Sequence, residues 1–440
     1  MNNKRQITKL AAFLMALTMA ASAVSCGSTE SSEAGDIKSS SVSIQPAADT
    51  GVGFEANEGD PDKAFSDHAA DFAIELLKKS AADDIRSGNN AVVSPESVMF
   101  ALALTENGAG GETLAEFEKL LGGDMKTEDI NKALNQLMTA ANSDENVKFK
   151  IANSIWVRDD ENRIRMKKEF AEINKKRFDA DSFAARFDDD TLRKLNGWVS
   201  DRTDGMIQKM LEKFSDSDVA VLLNCVCFNA EWAEGYNEYQ ILKDQTFRSA
   251  NNGDQTCTML CSDEGRYISD GNAEGFIKAY NGGRYAFAAL LPNEGMSAAD
   301  YIDTLTGEGF VKMIRESKRD KYGLSVRMPE FSFDWNTHLS KALKEMGLKN
   351  AFTAGADFKN MAETASGQLY ISEVIHKTHF ELDRKGTKAA AATAVVMNDN
   401  AVEVREKEMK NIVLDRPFVM AIIDTHTNIP VFIGAVNSVN

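Results

Sequence analysis

At 440 residues, 43% hydrophobic and 27% charged, the chain can bury a substantial core without disulfide or metal staples, and its length allows two or three domains. A formal net charge of −17 repels phosphate backbones and anionic headgroups, so nucleic acid is excluded as an expected partner.

The N-terminus reads as an export signal. MNNKRQITK supplies a basic start, and AAFLMALTMAASAV supplies an apolar run too short to span a bilayer comfortably. Ala23-Val24-Ser25-Cys26, followed by Gly27, is similar to a bacterial lipoprotein lipobox, in which Cys26 is lipidated and becomes the new N-terminus. The alternative is an ordinary cleaved signal with an incidental cysteine; lipidation is favoured because Cys26 sits where the apolar run stops. Residues 27–58 are rich in Ser, Gly, Ala and acid and lack apolar periodicity, a composition that cannot bury enough surface to order itself. The expected organisation is a signal at 1–25, a tether at 26–59 and a globular domain at 60–440. That domain would be extracellular or at the cell surface, touching a membrane only through Cys26.

From about residue 60 the texture is even, with no long linker and no repeat. DKAFSDHAADFAIELLKKSA places Phe65, Ala69, Phe72, Leu76 and Leu77 at helical spacing. SPESVMFALALTENGAG predicts a helix with Ser94 as N-cap and Pro95 at its first position, apolar nearly all round and therefore buried. KFKIANSIWV, VAVLLNCVCFNAEW, YAFAALLPNEG and LSVRMPEFSF read as strands, and THLSKALKEMGLKNAF as an amphipathic helix ended by Gly347. RPFVMAIIDTHTNIPVFIGAVNS reads as two apolar strands joined by a Thr-His-Thr-Asn turn. Helices dominate the first half and strands the second, which points to an α+β domain rather than a doubly wound sheet.

Catalytic motifs are missing. No G-x-S-x-G, H-E-x-x-H or G-x-x-x-x-G-K-[ST] occurs, and the glycine-rich NGAGGET follows a helix and lacks the lysine of a phosphate cradle. His68, His338, His376, His379 and His426 are scattered singly, more in keeping with hydrogen-bonded structural histidines than with bases or ligands. Cys225 and Cys227 share one face of a strand, but neither C-x-C there nor C-x-x-x-C at Cys257 and Cys261 is a usual zinc spacing. Buried free thiols are the favoured reading, with a disulfide between the pairs left open. No enzyme, metal or cofactor is expected.

The segment GTKAAAATAVVMNDNAVE, residues 386–403, suits a chain that must live in two environments. Small residues keep it from being sticky while exposed, and proline, which would remove a ladder donor, is absent. As a strand it would turn Thr387, Ala389, Ala391, Thr393 and Val395 to one face, small enough to slip between two others. Gly386 is expected to let the chain bend where loop becomes strand.

From about residue 62 to its end the chain resembles the serpin family. The resemblance is carried in order by NAVVSPESVMFALALTENGAGGET, LNGWVSDRTDGMI, LLNCVCFNAEW, LPNEG, ALKEMGL, GADF, ISEVIHKTHFELDRKGTKAAAATA and LDRPFVMAIIDTHTNIPVFIGAVN. It implies an α+β serpin fold, with helices packed on three β-sheets and an exposed reactive-centre loop. It further implies a monomeric, non-catalytic inhibitor of serine proteases that is cleaved in the loop, inserts it into the main sheet and traps the protease as an acyl complex. The family count places the reactive bond between Asn400 and Ala401, with Ala401, Met397 and Val396 as alternatives before the bond. The absence of Arg or Lys between Thr393 and Val404 favours elastase-like or subtilisin-like targets over trypsin-like ones. Gly386, Thr387, Ala389, Ala390, Ala391 and Ala392 correspond to the loop hinge, Ser94, Ser97, Asn224 and His376 to the shutter, and Trp232 to the breach. The family hinge is commonly acidic where this chain carries Arg384, Lys385 and Lys388, a departure that leaves a non-inhibitory serpin acting as a binding or carrier module as the alternative.

Overall fold

Capping and apolar spacing set the first helix. In this computed structural model, α1 (Lys63–Arg86) starts where the Asp62 carboxylate accepts the Phe65 N–H at 2.9 Å, and it buries the predicted Phe65, Ala69, Phe72, Leu76 and Leu77. The structure describes residues 54, 56–158, 164–203, 205, 207–215, 218, 220–365, 369–387 and 409–439. The other helices are α2 (Pro95–Glu106), α3 (Gly111–Gly122), α4 (Thr127–Ser143), α5 (Lys168–Phe178), α6 (Asp189–Arg202), α7 (Ala298–Thr304), α8 (Gly307–Arg315) and α9 (Ser340–Glu345). Every residue of α2 is buried, as its all-round apolarity requires.

The strands of the first half are β1 (Ala91–Val93), β2 (Val147–Arg158), β3 (Ile164–Met166), β4 (Asp181–Ala185) and β5 (Ala220–Glu231). Then come β6 (Ile241–Arg248), β7 (Asp254–Ser269), β8 (Ala273–Ala279), β9 (Tyr285–Pro292), β10 (Lys318–Pro329) and β11 (Phe331–His338). The last are β12 (Ala362–Thr364), β13 (Ile375–Leu382), β14 (Gly386–Thr387), β15 (Lys410–Val413), β16 (Phe418–Asp424) and β17 (Pro430–Val436).

Among the described residues these strands form three sheets. The largest runs β1-β17-β16-β9-β8-β7-β10-β15 with β6 also on β7; the central one runs β11-β13-β14-β5-β2-β4; the smallest pairs β12 with β3. The main core fills the space between the two large sheets and α1 and α2, where Phe149, Phe228, Tyr285 and Phe432 meet edge to face. A second cluster, Trp156, Leu195, Val199 and Leu223, covers the other face of the central sheet with α6. At the N-terminal end, Arg284 bridges Asp60 at 2.9 Å and Asp424 at 2.6 Å, and Phe54 is buried beneath the Arg266 guanidinium. The packed body thus reaches back to Phe54, inside the stretch expected as tether.

Two expectations need correction. LSVRMPEFSF is two strands, because Pro329 closes β10 and the chain turns at Glu330 into β11 of a different sheet. The helix read from THLSKALKEMGLKNAF is only α9, since Thr337 and His338 complete the ladder of β11 with β13. The C-terminal hairpin stands as read, with β16 and β17 antiparallel across the Thr-His-Thr-Asn turn. Among the described residues no helix is long and apolar enough to cross a membrane.

Candidate functional site

The site begins at a tight turn. Asp383 accepts the Gly386 N–H and the Lys385 N–H on its carboxylate, at 3.2 and 2.7 Å, and its own N–H donates to the Gly386 carbonyl at 2.9 Å. This folds the chain back beside β13, so that Thr387 pairs with Leu382 on one side and Ala230 on the other. Gly386 pairs with Glu231. Gly386 is required here for closeness rather than for bending: a Cβ would lie 1.9 Å from the Ala230 carbonyl oxygen. β14 is antiparallel to both β13 and β5. Among the described residues the long strands β5 and β13 join the sheet through these two residues, each otherwise laddering away from the other.

Aromatic and charged groups frame the mouth. The Trp232 main-chain N–H donates to the Lys385 carbonyl at 2.9 Å and its indole N–H to the Asp383 carbonyl at 3.0 Å. Its ring stacks on Tyr280 with centroids 4.6 Å apart, and the Tyr280 hydroxyl lies 2.5 Å from Thr387 Oγ1. Behind Trp232 the buried Lys278 ammonium bonds Glu264 at 2.8 Å and sits over the Tyr236 ring at 4.8 Å. Arg384, flagged as a departure, bonds Glu330 with both its main-chain N–H and its Nε, at 3.1 and 3.2 Å, and its pKa is raised by that carboxylate. Arg384 is therefore answered by an acid at the corner between β10 and β11.

Lower in the same sheet, His376 is buried on the inward face of β13. Its Nε2 accepts the Ser94 N–H at 3.1 Å and the Thr378 hydroxyl at 3.0 Å, which leaves the proton on Nδ1. Burial pulls its pKa down to about 4, so the ring is neutral. Ser94 occupies the N-cap position of α2, but its hydroxyl does not cap: Ser94 Oγ is fully buried and has no hydrogen-bond partner. Ser97 is buried one turn into α2. Asn224 lies on β5, its side chain outside the described atoms, directly across the ladder from the buried Asn153. Asn153 and Thr378 were missed at the level of sequence; a lone amide in the apolar run KFKIANSIWV and a threonine two residues from His376 were the available signals.

The family model for serpin (serine protease inhibitor) matches residues 67–439. The chain belongs to the serpin family. A serine protease inhibitor from Cyanea capillata is 28% identical over 362 residues, covering 79% of this chain and 92% of the relative. The native-state structure of the thermophilic serpin tengpin superimposes with a TM-score of 0.79 at 40% identity, covering 87% of this serpin and 97% of tengpin. Human thyroxine-binding globulin, complexed with thyroxine, shares the fold with a TM-score of 0.75 at 21% identity, covering 86% of this serpin and 99% of the globulin.

The structure brings Gly386, Thr387 and Trp232 together at the mouth, and Ser94 and His376 below it. Ala389, Ala390, Ala391, Ala392, Asn400 and Ala401 lie outside the described residues, as do the signal segment and Cys26. Cys257 is buried and Cys261 half-buried, both as free thiols, and the side chains of Cys225 and Cys227 are outside the described atoms. No cluster of metal-ligating groups occurs among the described residues. The glycine turn of NGAGGET is filled from within the chain: the Gly110 N–H donates to the Asp357 carbonyl at 2.8 Å, and Thr113 Oγ1 accepts the Asp357 N–H at 3.0 Å.

Proposed function

We propose that this serpin is a suicide inhibitor of serine proteases with elastase-like or subtilisin-like specificity, acting as a monomer held at the cell surface through Cys26. The observation that carries the proposal is β14. The first two residues of the loop are seated between β13 and β5, running in the direction an inserted strand would continue.

Continuing that register defines the slot. Thr387 stands opposite Leu382 and Ala230. Two residues further, Ala389 would stand opposite Phe380 and Phe228, then Ala391 opposite Thr378 and Val226, and Thr393 opposite His376 and Asn224. All share the inward face of Thr387. Insertion would thus bring a threonine hydroxyl to the shutter, where His376 is buried and Ser94 Oγ has no partner. The inserted residues would gain ladder bonds at about 1 kcal/mol net each, on the order of 10 kcal/mol for a full strand. That is comparable with the stability of an ordinary domain, about 5–15 kcal/mol. Strand addition of this size, for which serpin loops are the familiar case, can drag and deform an attached protease. The protease supplies the nucleophile. The serpin supplies the acyl group before the break, between Asn400 and Ala401, and the driving force that spoils the enzyme's geometry before water completes hydrolysis.

The test is incubation of the full-length protein with pancreatic elastase, subtilisin and trypsin, followed by denaturing gels and mass spectrometry of the released C-terminal peptide. A denaturation-resistant complex with elastase or subtilisin, and a peptide starting at Ala401, is expected. Cleavage by all three with no complex and no rise in unfolding temperature would instead mark a non-inhibitory serpin.

A further inference from the structure

We infer that Tyr280 is a positioning residue for loop insertion: its hydroxyl holds Thr387 in the mouth of the slot and so fixes how much of the loop is seated before a protease arrives. The inference rests on the loop-insertion reading above and adds to it a residue outside the hinge, breach and shutter positions read from the sequence.

Tyr280 is fully buried, and its ring cannot turn away. One face stacks on Trp232 with an interplanar angle of 7°, and Phe228 meets it edge-on at 5.3 Å. The backbone is held as well, by an N–H bond to the Tyr285 carbonyl at 3.1 Å and a β-bridge to Trp232. A buried phenol needs a hydrogen-bond partner, and among the described residues the partner of this hydroxyl is Thr387 Oγ1. Burial pushes the phenol pKa far up, so the group keeps its proton and its capacity to donate.

The consequence follows from what happens when the loop withdraws. Thr387 takes its hydroxyl with it, while the Tyr280 oxygen stays behind in an apolar slot. An orphaned buried hydroxyl is costly, which biases the hinge toward the seated position by about tenfold. Seating matters because, among the described residues, β14 consists of Gly386 and Thr387. A strand that already has its first pair in register extends one pair at a time, whereas an empty slot must first be entered. Tyr280 thereby acts on the competition between insertion and completed hydrolysis without touching the protease.

The experiment compares wild type, Tyr280→Phe, Thr387→Val and the double variant, all full-length. Hydrogen exchange of the peptide covering 383–387 is read by mass spectrometry in the uncleaved protein, and the ratio of cleaved to complexed serpin is read with elastase. Each single variant is expected to raise exchange about tenfold and the ratio several-fold, and the double variant to do no more than either single. Unchanged exchange in the single variants, or fully additive effects in the double, would overturn the inference. Should Tyr280→Phe fail to fold, Thr387→Val alone decides it by the same exchange reading. A wild type that never traps protease but shows the non-additive exchange would sink the proposed function and leave the seating role of Tyr280 standing.

Discussion

Replacing Gly386 with alanine isolates the seating of the loop from everything that happens at the reactive bond. The added Cβ would lie 1.9 Å from the Ala230 oxygen, 2.8 Å from Glu231 Cα and 2.9 Å from the Ala230 carbonyl carbon. Comfortable contact needs about 3.5 Å or more, so β14 must retreat by more than 1 Å. Such a shift breaks the ladder of Gly386 and Thr387 with β5 and disturbs the bond from the Trp232 N–H to Lys385 in the same turn. Losing two or three hydrogen bonds at about 1 kcal/mol each is worth about 2–3 kcal/mol, or roughly a 30- to 150-fold fall in the seated population. Gly386→Ala leaves Asn400 and Ala401 untouched, so the loop should be cut as fast as in wild type. Titration of elastase against the variant, scored on denaturing gels, should show cleaved serpin in large excess over complex. A complex yield equal to wild type, with the same rate of loop cleavage, would refute the claim that insertion starts from the seated hinge.

The Arg384–Glu330 contact joins the hinge turn to the chain between β10 and β11, so Glu330→Gln should speed heat-induced conversion to a hyperstable, loop-inserted form a few-fold, as followed on urea gels. Both partners are partly exposed, which limits the contact to about 1 kcal/mol. His376 and Glu96 give opposite pH dependences. Burial lowers His376 to about 4, so the folded state binds fewer protons than the unfolded one, and stability falls by on the order of 3 kcal/mol as pH drops from about 6.5 to 4. Burial, with the nearby Asp424 charge, raises Glu96 to about 8, so its contribution is fully present below about 4.5 and is lost as pH rises to 8. Glu96→Gln should therefore stabilise the protein at pH 8 and change it little at pH 4.5; equal urea midpoints for variant and wild type at pH 8 would contradict this. Cys26→Ala should move the protein from the membrane pellet to the medium and abolish incorporation of labelled palmitate, whereas an unchanged membrane fraction would rule out the lipid anchor.

What the sequence made legible had strong local signals. α2 is apolar on every side and lies buried, and the C-terminal hairpin announces itself through two apolar runs around a polar turn. The hinge glycine was identifiable, but not its reason: the Ala230 carbonyl that excludes a Cβ lies far away in the chain. The same distance hid the support of the mouth. Lys278 and Glu264 sit on neighbouring strands and read singly as solvated charges, yet they form a buried pair under Trp232. Tyr280 is one aromatic among many until the fold aims its hydroxyl at Thr387. Pro329 was hidden inside an apolar run, although it both ends β10 and sets Glu330 at the corner where Arg384 needs it.

The alanines of the loop gain a more specific meaning from the register than smallness alone. The positions that would flank Ala389 on its inward face, Phe380 and Phe228, are already buried, and the two rings also pack on Phe432. A larger inward side chain would have to be accommodated against those rings. At Thr393 the flanking floor is polar instead, with His376 bonded to Ser94 and Thr378. Ala390 would turn to the opposite face, level with the half-buried His379. Ala389→Leu should therefore overpack the floor, at about 1–3 kcal/mol, and slow insertion, while the chemically identical Ala390→Leu should be tolerated. Both substitutions add the same apolar side chain to the loop, so a general effect of stickiness predicts equal losses of complex with elastase. Equal losses, or a greater loss at Ala390, would mean that the inserted strand does not continue the register begun by Gly386 and Thr387. A loss confined to Ala389 would fix that register without a structure of the cleaved form.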